Sequence, residues 1–169
     1  MRRLLAGAIA LSALAFNAPT ARADDKSDIK ALYPKVAALF MKKDVEGIMR
    51  IGTSDFKMKQ MGQTMDAKTV KGMLQQQFAT VTMKASVMKP TSIKVSGNKA
   101  VVLSDSKTSM VSKGPDGKSH TIVSVGKGRD TLVKTKAGWK FSMVESLSEK
   151  MTMDGKPFDP RMMAPSGRQ

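Results

Sequence analysis

The sequence contains no cysteine and a single histidine, His120, in 169 residues. Without cysteine there is no disulfide, no thiolate nucleophile and no cysteine-based zinc or iron–sulfur site. One histidine excludes any site built from two. Aromatic residues make up only 5% of the chain, and stacking platforms for nucleic acid need them. The basic residues are dispersed, with no run of five or six. Both features argue against nucleic acid as a partner. No stretch after the first residues is apolar for the ~20 residues that a bilayer crossing needs.

The beginning of the chain has its own pattern. Arg2 and Arg3 precede an apolar run, Leu4 to Phe16, and Ala21-Arg22-Ala23 is a small-residue cleavage site. This order predicts a signal peptide over residues 1–23, cleaved before Asp24, and hence a periplasmic or secreted protein. Loss of Arg2, Arg3 and Arg22 lowers the formal charge by three, from +15 to +12. So basic a surface favours solubility and attracts anionic partners.

Residues 25–80 have helical periodicity. Ile29, Leu32, Tyr33, Val36 and Phe40 form one apolar stripe, with Pro34 inside it as a kink. Asp44 is placed to cap a short helix carrying Val45, Ile48 and Met49, with Gly52 as its stop. Asp66 is placed to cap a third helix, whose inner face is Val70, Met73, Leu74 and Phe78.

From Val81 the period changes to two. Four long strands are predicted: Val81–Val95, interrupted at Pro90; Lys99–Ser112; Lys118–Thr135; and Trp139–Met153. The connectors Ser96-Gly97-Asn98, Gly114-Pro115-Asp116-Gly117 and Lys136-Ala137-Gly138 have hairpin chemistry. The third strand is too long to stay flat, and Gly126 and Gly128 mark the place for a bulge. The fold class is therefore α+β: three N-terminal helices packed in a curved antiparallel sheet of four to six strands, a cone-shaped roll. The domain spans residues 24–153, and residues 154–169, with Pro157, Pro160 and Pro165, form a loosely held tail.

Several local motifs resemble the SnoaL-like and ketosteroid-isomerase-like domains of the nuclear transport factor 2 superfamily. They are Lys43-Asp44-Val45-Glu46-Gly47-Ile48-Met49, then Ser54-Asp55-Phe56 entering a short strand. Asn98-Lys99-Ala100-Val101-Val102 follows, and then Asp130-Thr131-Leu132-Val133-Lys134 with Gly138-Trp139-Lys140. The resemblance covers residues 25–150 and implies a cystatin-like roll whose cavity binds small molecules, in some members as an enzyme. Carried across without gaps from the Asp44–Ile48 step, the family's catalytic carboxylate falls on Gln60 and its tyrosine on Val36. An amide accepts no proton at neutral pH and valine donates no hydrogen bond. The resemblance thus implies a cavity but no proton-transfer site, with Tyr33 one turn from Val36.

The segment FKMKQMGQTM holds three methionines. Met58, Met61 and Met65 would cluster three thioethers on a helix, a set suited to Cu(I). Alternation instead places Phe56, Met58 and Gln60 on one face of a strand, with Lys57 and Lys59 on the other. Methionine commonly fills irregular apolar cavities. The expected pocket therefore comprises Tyr33, Val36, Phe56, Met58, Gln60, Trp139 and Phe141, with Met143 continuing the last strand's apolar set. Gln60 is its expected polar anchor.

No cofactor, metal or catalytic residue is assigned. The expected partner is a small apolar or amphipathic molecule. The alternatives are an enzyme using Tyr33, Asp130 or Glu145, a homodimeric interaction module on the outer sheet face, and methionine-bound copper as a minor one. Gly126-Lys127-Gly128-Arg129 lacks the strand–loop–helix setting of a phosphate loop. His120, beside a hairpin turn, has no nucleophile placed near it. Asp130 and Glu145, on neighbouring strands, are expected to pair with basic neighbours rather than with each other.

Overall fold

The structure, a computed structural model, describes residues 23–114 and 117–158. Residues 1–22 of the expected signal peptide and the last eleven residues of the expected tail lie outside them. Helix α1 runs from Ala23 to Lys42, and Pro34 sits within it. Proline has no N–H, so the Lys30 carbonyl has no helical donor there. Helix α2, Val45–Arg50, is capped by Asp44, whose carboxylate accepts from the Gly47 N–H at 2.7 Å. Gly47 is the close-approach point of this corner. A Cβ there would lie 2.5 Å from Leu39 Cδ2 and 2.4 Å from Asp44 Oδ2.

Strand β1, Gly52–Gln60, turns through Met61 and Gly62 into β2, Gln63–Asp66. Asp66 then caps α3, Ala67–Thr80, by accepting from the Thr69 N–H at 2.8 Å. At the other end of α3 the Lys43 ammonium donates to the Phe78 carbonyl at 2.9 Å and also to that of Val81. It thereby satisfies carbonyls that the helix end leaves without partners.

Four long strands follow: β3, Val81–Ser96; β4, Lys99–Lys113; β5, Ser119–Thr135; and β6, Gly138–Met153. A turn at Asp154-Gly155 leads to β7, Lys156–Phe158, which pairs with the end of β6. The sheet order is β2-β1-β6-β5-β4-β3, with β7 also on β6. The long strands form the expected meander. β1 departs from the antiparallel rule by running parallel to β6, with Met58 beside Val144. A chain that passes through a helix before reaching its neighbour can pair in either direction, and alternation within β1 carries no sign of which.

Irregularities bend the sheet. The β3–β4 register shifts between Pro90 and Ser92. The β5–β6 register shifts between Lys127 and Gly128, beside the two glycines, and again between Thr131 and Leu132. The helices lie in the resulting curve, and the core between them is anchored by Ile29, Val70, Val102 and Leu132, each at most 2% exposed. No helix among the described residues is long and apolar enough to cross a membrane.

Candidate functional site

Between the helices and the inner sheet face lies a cavity of about 350 Å³. Its walls are mostly apolar. Val36 and Phe40 come from α1, Val70, Leu74 and Phe78 from α3, Phe56 and Met58 from β1, and Phe141 from β6. Phe40 and Phe78 meet edge-to-face at 5.6 Å and close one end, between α1 and α3. Methionines fill much of the remaining wall: Met49, Met73, Met83, Met88, Met110 and Met151.

One polar cluster interrupts this lining. Asp130, on β5, is 4% exposed. Its Oδ2 accepts a hydrogen bond from the Tyr33 hydroxyl at 2.8 Å and another from Ser104 Oγ at 2.8 Å. Tyr33 comes from α1 and Ser104 from β4, so three distant segments converge on one carboxyl oxygen. The Tyr33 ring is itself held edge-on against Phe141, with centroids 5.8 Å apart. Burial pushes the Asp130 carboxyl above the usual carboxylate range, and the bonds from Tyr33 and Ser104 only partly oppose this. Burial also pushes the Tyr33 phenol up, and the neighbouring Asp130 adds to the shift, so this phenol stays protonated and donates.

Gly128 lies close beside the cluster. It faces Ser104 across β4 and β5, and a Cβ at Gly128 would come within 3.0 Å of Ser104 Oγ and 3.6 Å of Asp130 Oδ1. A side chain at this position would press on the Ser104 hydroxyl that bonds Asp130.

The exposed rim is polar as well. Gln60 Nε2 donates to Glu149 Oε2 at 2.9 Å, and Ser124 Oγ donates to Glu149 Oε1 at 2.7 Å. On the other face of β6, Glu145 is bound by Lys59 at 2.9 Å and by Arg129 at 3.4 Å. The hydrogen bond from Lys59, helped by both positive charges, holds its carboxyl below the usual range.

Of the residues expected to line a pocket, Tyr33, Val36, Phe56, Met58, Gln60 and Phe141 surround this one cavity. Trp139 does not. It shares the inner face with Phe141 but lies further toward the start of β6, covered by the first turn of α1. Its indole N–H donates to Asp25 Oδ1 at 3.1 Å, and Lys134 binds the same oxygen at 2.5 Å while lying 5.9 Å from the indole ring centre. A buried indole needs an acceptor, and Asp25 supplies it outside the cavity. Met143 also leaves the expected set. Thr131 pairs with Met143 but Leu132 pairs with Phe141, so Ser142 is an extra residue that reverses the alternation. Val144 takes the inner position instead.

Gln60 is not the buried anchor, because its amide is engaged at the rim by Glu149. The buried polar group on the wall is Asp130, which the sequence offers as a partner for a basic neighbour and, with Tyr33 and Glu145, as an alternative enzyme site; it bonds Tyr33 and Ser104 instead of a base. Glu145 does pair with Lys and Arg. The three methionines of the opening segment form no helical cluster. Met58 and Met65 are cross-strand partners, while Met61 sits in the turn, 66% exposed. His120 bonds Asp154 at 2.7 Å beside the β6–β7 turn and is not among the residues lining the cavity.

No family model and no curated protein sequence matches the chain. Solved structures do match in shape. A conserved protein from Planctomyces limnophilus superposes with a TM-score of 0.64 at 13% identity, over 73% of this chain and 95% of its own. A ketosteroid isomerase-like protein from Erwinia carotovora atroseptica gives 0.59 at 16%, over 75% and 99%. A nuclear transport factor 2-like protein with a cystatin-like fold from Novosphingobium aromaticivorans gives 0.54 at 19%, over 73% and 80%. At these identities the likeness concerns the backbone, and it agrees with the helices and curved sheet described above: the chain has the nuclear transport factor 2-like fold.

Proposed function

We propose that this protein binds a small apolar or amphipathic molecule in the cavity, with one polar atom of the ligand at the Tyr33–Asp130–Ser104 cluster. The observation that carries this is the cluster itself. A carboxyl that is 4% exposed and bonded twice through one oxygen sits on the wall of a mostly apolar cavity. Ligand sites commonly combine an apolar lining with a few convergent polar groups that fix orientation. The leader-like residues 1–23 support action outside the cytoplasm, in the periplasm or beyond.

The test is titration with a neutral apolar fluorophore such as N-phenyl-1-naphthylamine. Saturable binding is expected in the wild type and strong loss in Met58→Trp, which adds bulk at a half-buried cavity wall. Equal binding by a Met58→Trp variant that remains folded overturns the assignment of the cavity.

One observation favours a second reading. A buried carboxyl whose pKa is raised by desolvation, bonded to a phenol at a cavity wall, is the kind of group that gives or takes a proton. In that case the bound molecule is converted, and Asp130→Asn stops conversion while binding persists. The ketosteroid isomerase-like relative in fold is in keeping with such chemistry. Mass analysis of a bound compound before and after incubation separates a carrier from an enzyme.

A further inference from the structure

The cavity occupies only one face of the sheet. The buried residues Ala100, Val102 and Met110 of β4, and Ile122, Asp130 and Leu132 of β5, define that inner face. Alternation sends the intervening residues outward, and strand register assembles them into rows. One row runs Val87, Lys107, Val125, Lys150 across β3 to β6, so apolar and basic residues alternate. The next sets Lys89 beside Asp105 and Lys127. A third carries Leu103, Arg129, Glu145 and Lys59, and a fourth Lys94, Val101, Thr131, Met143 and Lys57.

Asp105 and Glu145 offset only part of the charge of the eight bases in these rows, and Asp66 lies beside Lys57 at the sheet edge. Asp105 is flanked in register by Lys89 and Lys127, and Glu145 is already bound by Lys59 and Arg129. Between the lysines stand exposed apolar side chains: Val87 at 46%, Leu103 at 41% and Val125 at 49%. No aromatic residue occurs in these rows.

We propose that this outer face of the sheet docks on a membrane surface carrying anionic lipid headgroups. The argument is charge complementarity combined with apolar tips. Lysine and arginine gain from a negative surface potential, while small apolar side chains between them enter the headgroup boundary as on interfacial elements. Lysine stems also lie along apolar surface while their ammonium groups reach phosphate. A second copy of the chain is disfavoured as the occupant, since two such faces repel each other. Nucleic acid is disfavoured by the lack of aromatic platforms.

The test is co-sedimentation of the protein with vesicles of phosphatidylcholine, and of phosphatidylcholine mixed with phosphatidylglycerol. Binding is expected only with the mixed vesicles, weakening as salt shortens the screening length from about 10 Å at 0.1 M to about 3 Å at 1 M. Each lysine near the surface contributes roughly five-fold. Lys94→Glu/Lys107→Glu should therefore lower partitioning by more than about ten-fold. Lys35→Glu/Lys68→Glu changes the net charge equally but lies on exposed positions of α1 and α3, and should retain most binding. Leu103→Ser should also weaken vesicle binding.

Equal loss in both double variants shows a net-charge effect and overturns the assigned face. Charge-reversal sensitivity without any effect of Leu103→Ser, or tighter binding to an oligonucleotide than to mixed vesicles, makes the occupant an acidic polymer and overturns the membrane. A wild type that sediments as a dimer, dissociated by Leu103→Arg, makes the occupant a second copy. All substituted residues are exposed, and circular dichroism checks that each variant is folded. Should a reversal variant misfold, Lys94→Gln/Lys107→Gln carries the same comparison.

Discussion

Tyr33→Phe isolates the bond at the centre of the cavity. It removes one oxygen and leaves the ring against Phe141. The lost contact is a hydrogen bond at 2.8 Å to a carboxyl that is 4% exposed. Hydrogen bonds to charged groups contribute about 1.5–3 kcal/mol, and neutral ones about 0.5–1.5 kcal/mol. With roughly 3–5 °C per kcal/mol for a domain of this size, the melting temperature should fall by about 5–15 °C while Asp130 is ionised.

The effect has a definite pH dependence. Asp130 has a folded-state pKa above its unfolded value. Between those two values the native state binds more protons than the unfolded one, so Asp130's contribution is most favourable at acidic pH and declines as pH rises through the folded pKa. The Tyr33 bond opposes that decline by stabilising the ionised form. The penalty of Tyr33→Phe should therefore be larger above the Asp130 pKa and shrink toward the neutral-bond value below it. Differential scanning fluorimetry of both proteins across pH 5 to about 9 measures this. A penalty under about 1 °C at every pH, or one that grows on acidification, refutes the assigned bond and its direction.

Asp130→Asn should flatten the same pH dependence and keep or raise stability at the alkaline end, because it removes the buried charge; an unchanged profile contradicts this. Gly128→Ala should displace Ser104 from Asp130 and cost about 1–2 kcal/mol in chemical denaturation, with less loss on a Ser104→Ala background. Gln60→Leu should change stability by less than about 0.5 kcal/mol in the same assay, since its bond to Glu149 is exposed. Lys43→Met should cost about 1–3 kcal/mol by leaving the Phe78 and Val81 carbonyls without their donor.

Period and turn chemistry made the helices, their two aspartate caps and the long hairpins legible. They also made the inward set Phe56, Met58 and Gln60 legible, because one strand's alternation is local. The parts that were not legible depend on pairing between strands. Ser142 is invisible as a bulge until Thr131 and Leu132 are seen to choose Met143 and Phe141, and that one residue removes Met143 from the inner face. The parallel pairing of β1 with β6 is likewise a decision made in three dimensions.

The Tyr33–Asp130–Ser104 cluster joins residues 97 and 26 positions apart. A faint signal for it existed. Asp130 has the same parity as Ile122 and Leu132, so alternation alone would have put a carboxylate among inward residues. Trp139 had the correct face but the wrong end of the strand, a distinction that alternation cannot make.

The central claim is that the cavity between the helices and the sheet is where a small molecule binds, and the methionines report on it directly. In a ¹³C-methyl-methionine NMR titration with a neutral apolar ligand, Met49, Met58, Met73, Met83, Met88, Met110 and Met151 lie on the cavity wall, while Met61 and Met143 do not. Saturable shifts confined to the first group, led by Met110 and Met58, are the predicted result. Shifts at Met61 or Met143 with the cavity methyls unmoved would contradict it.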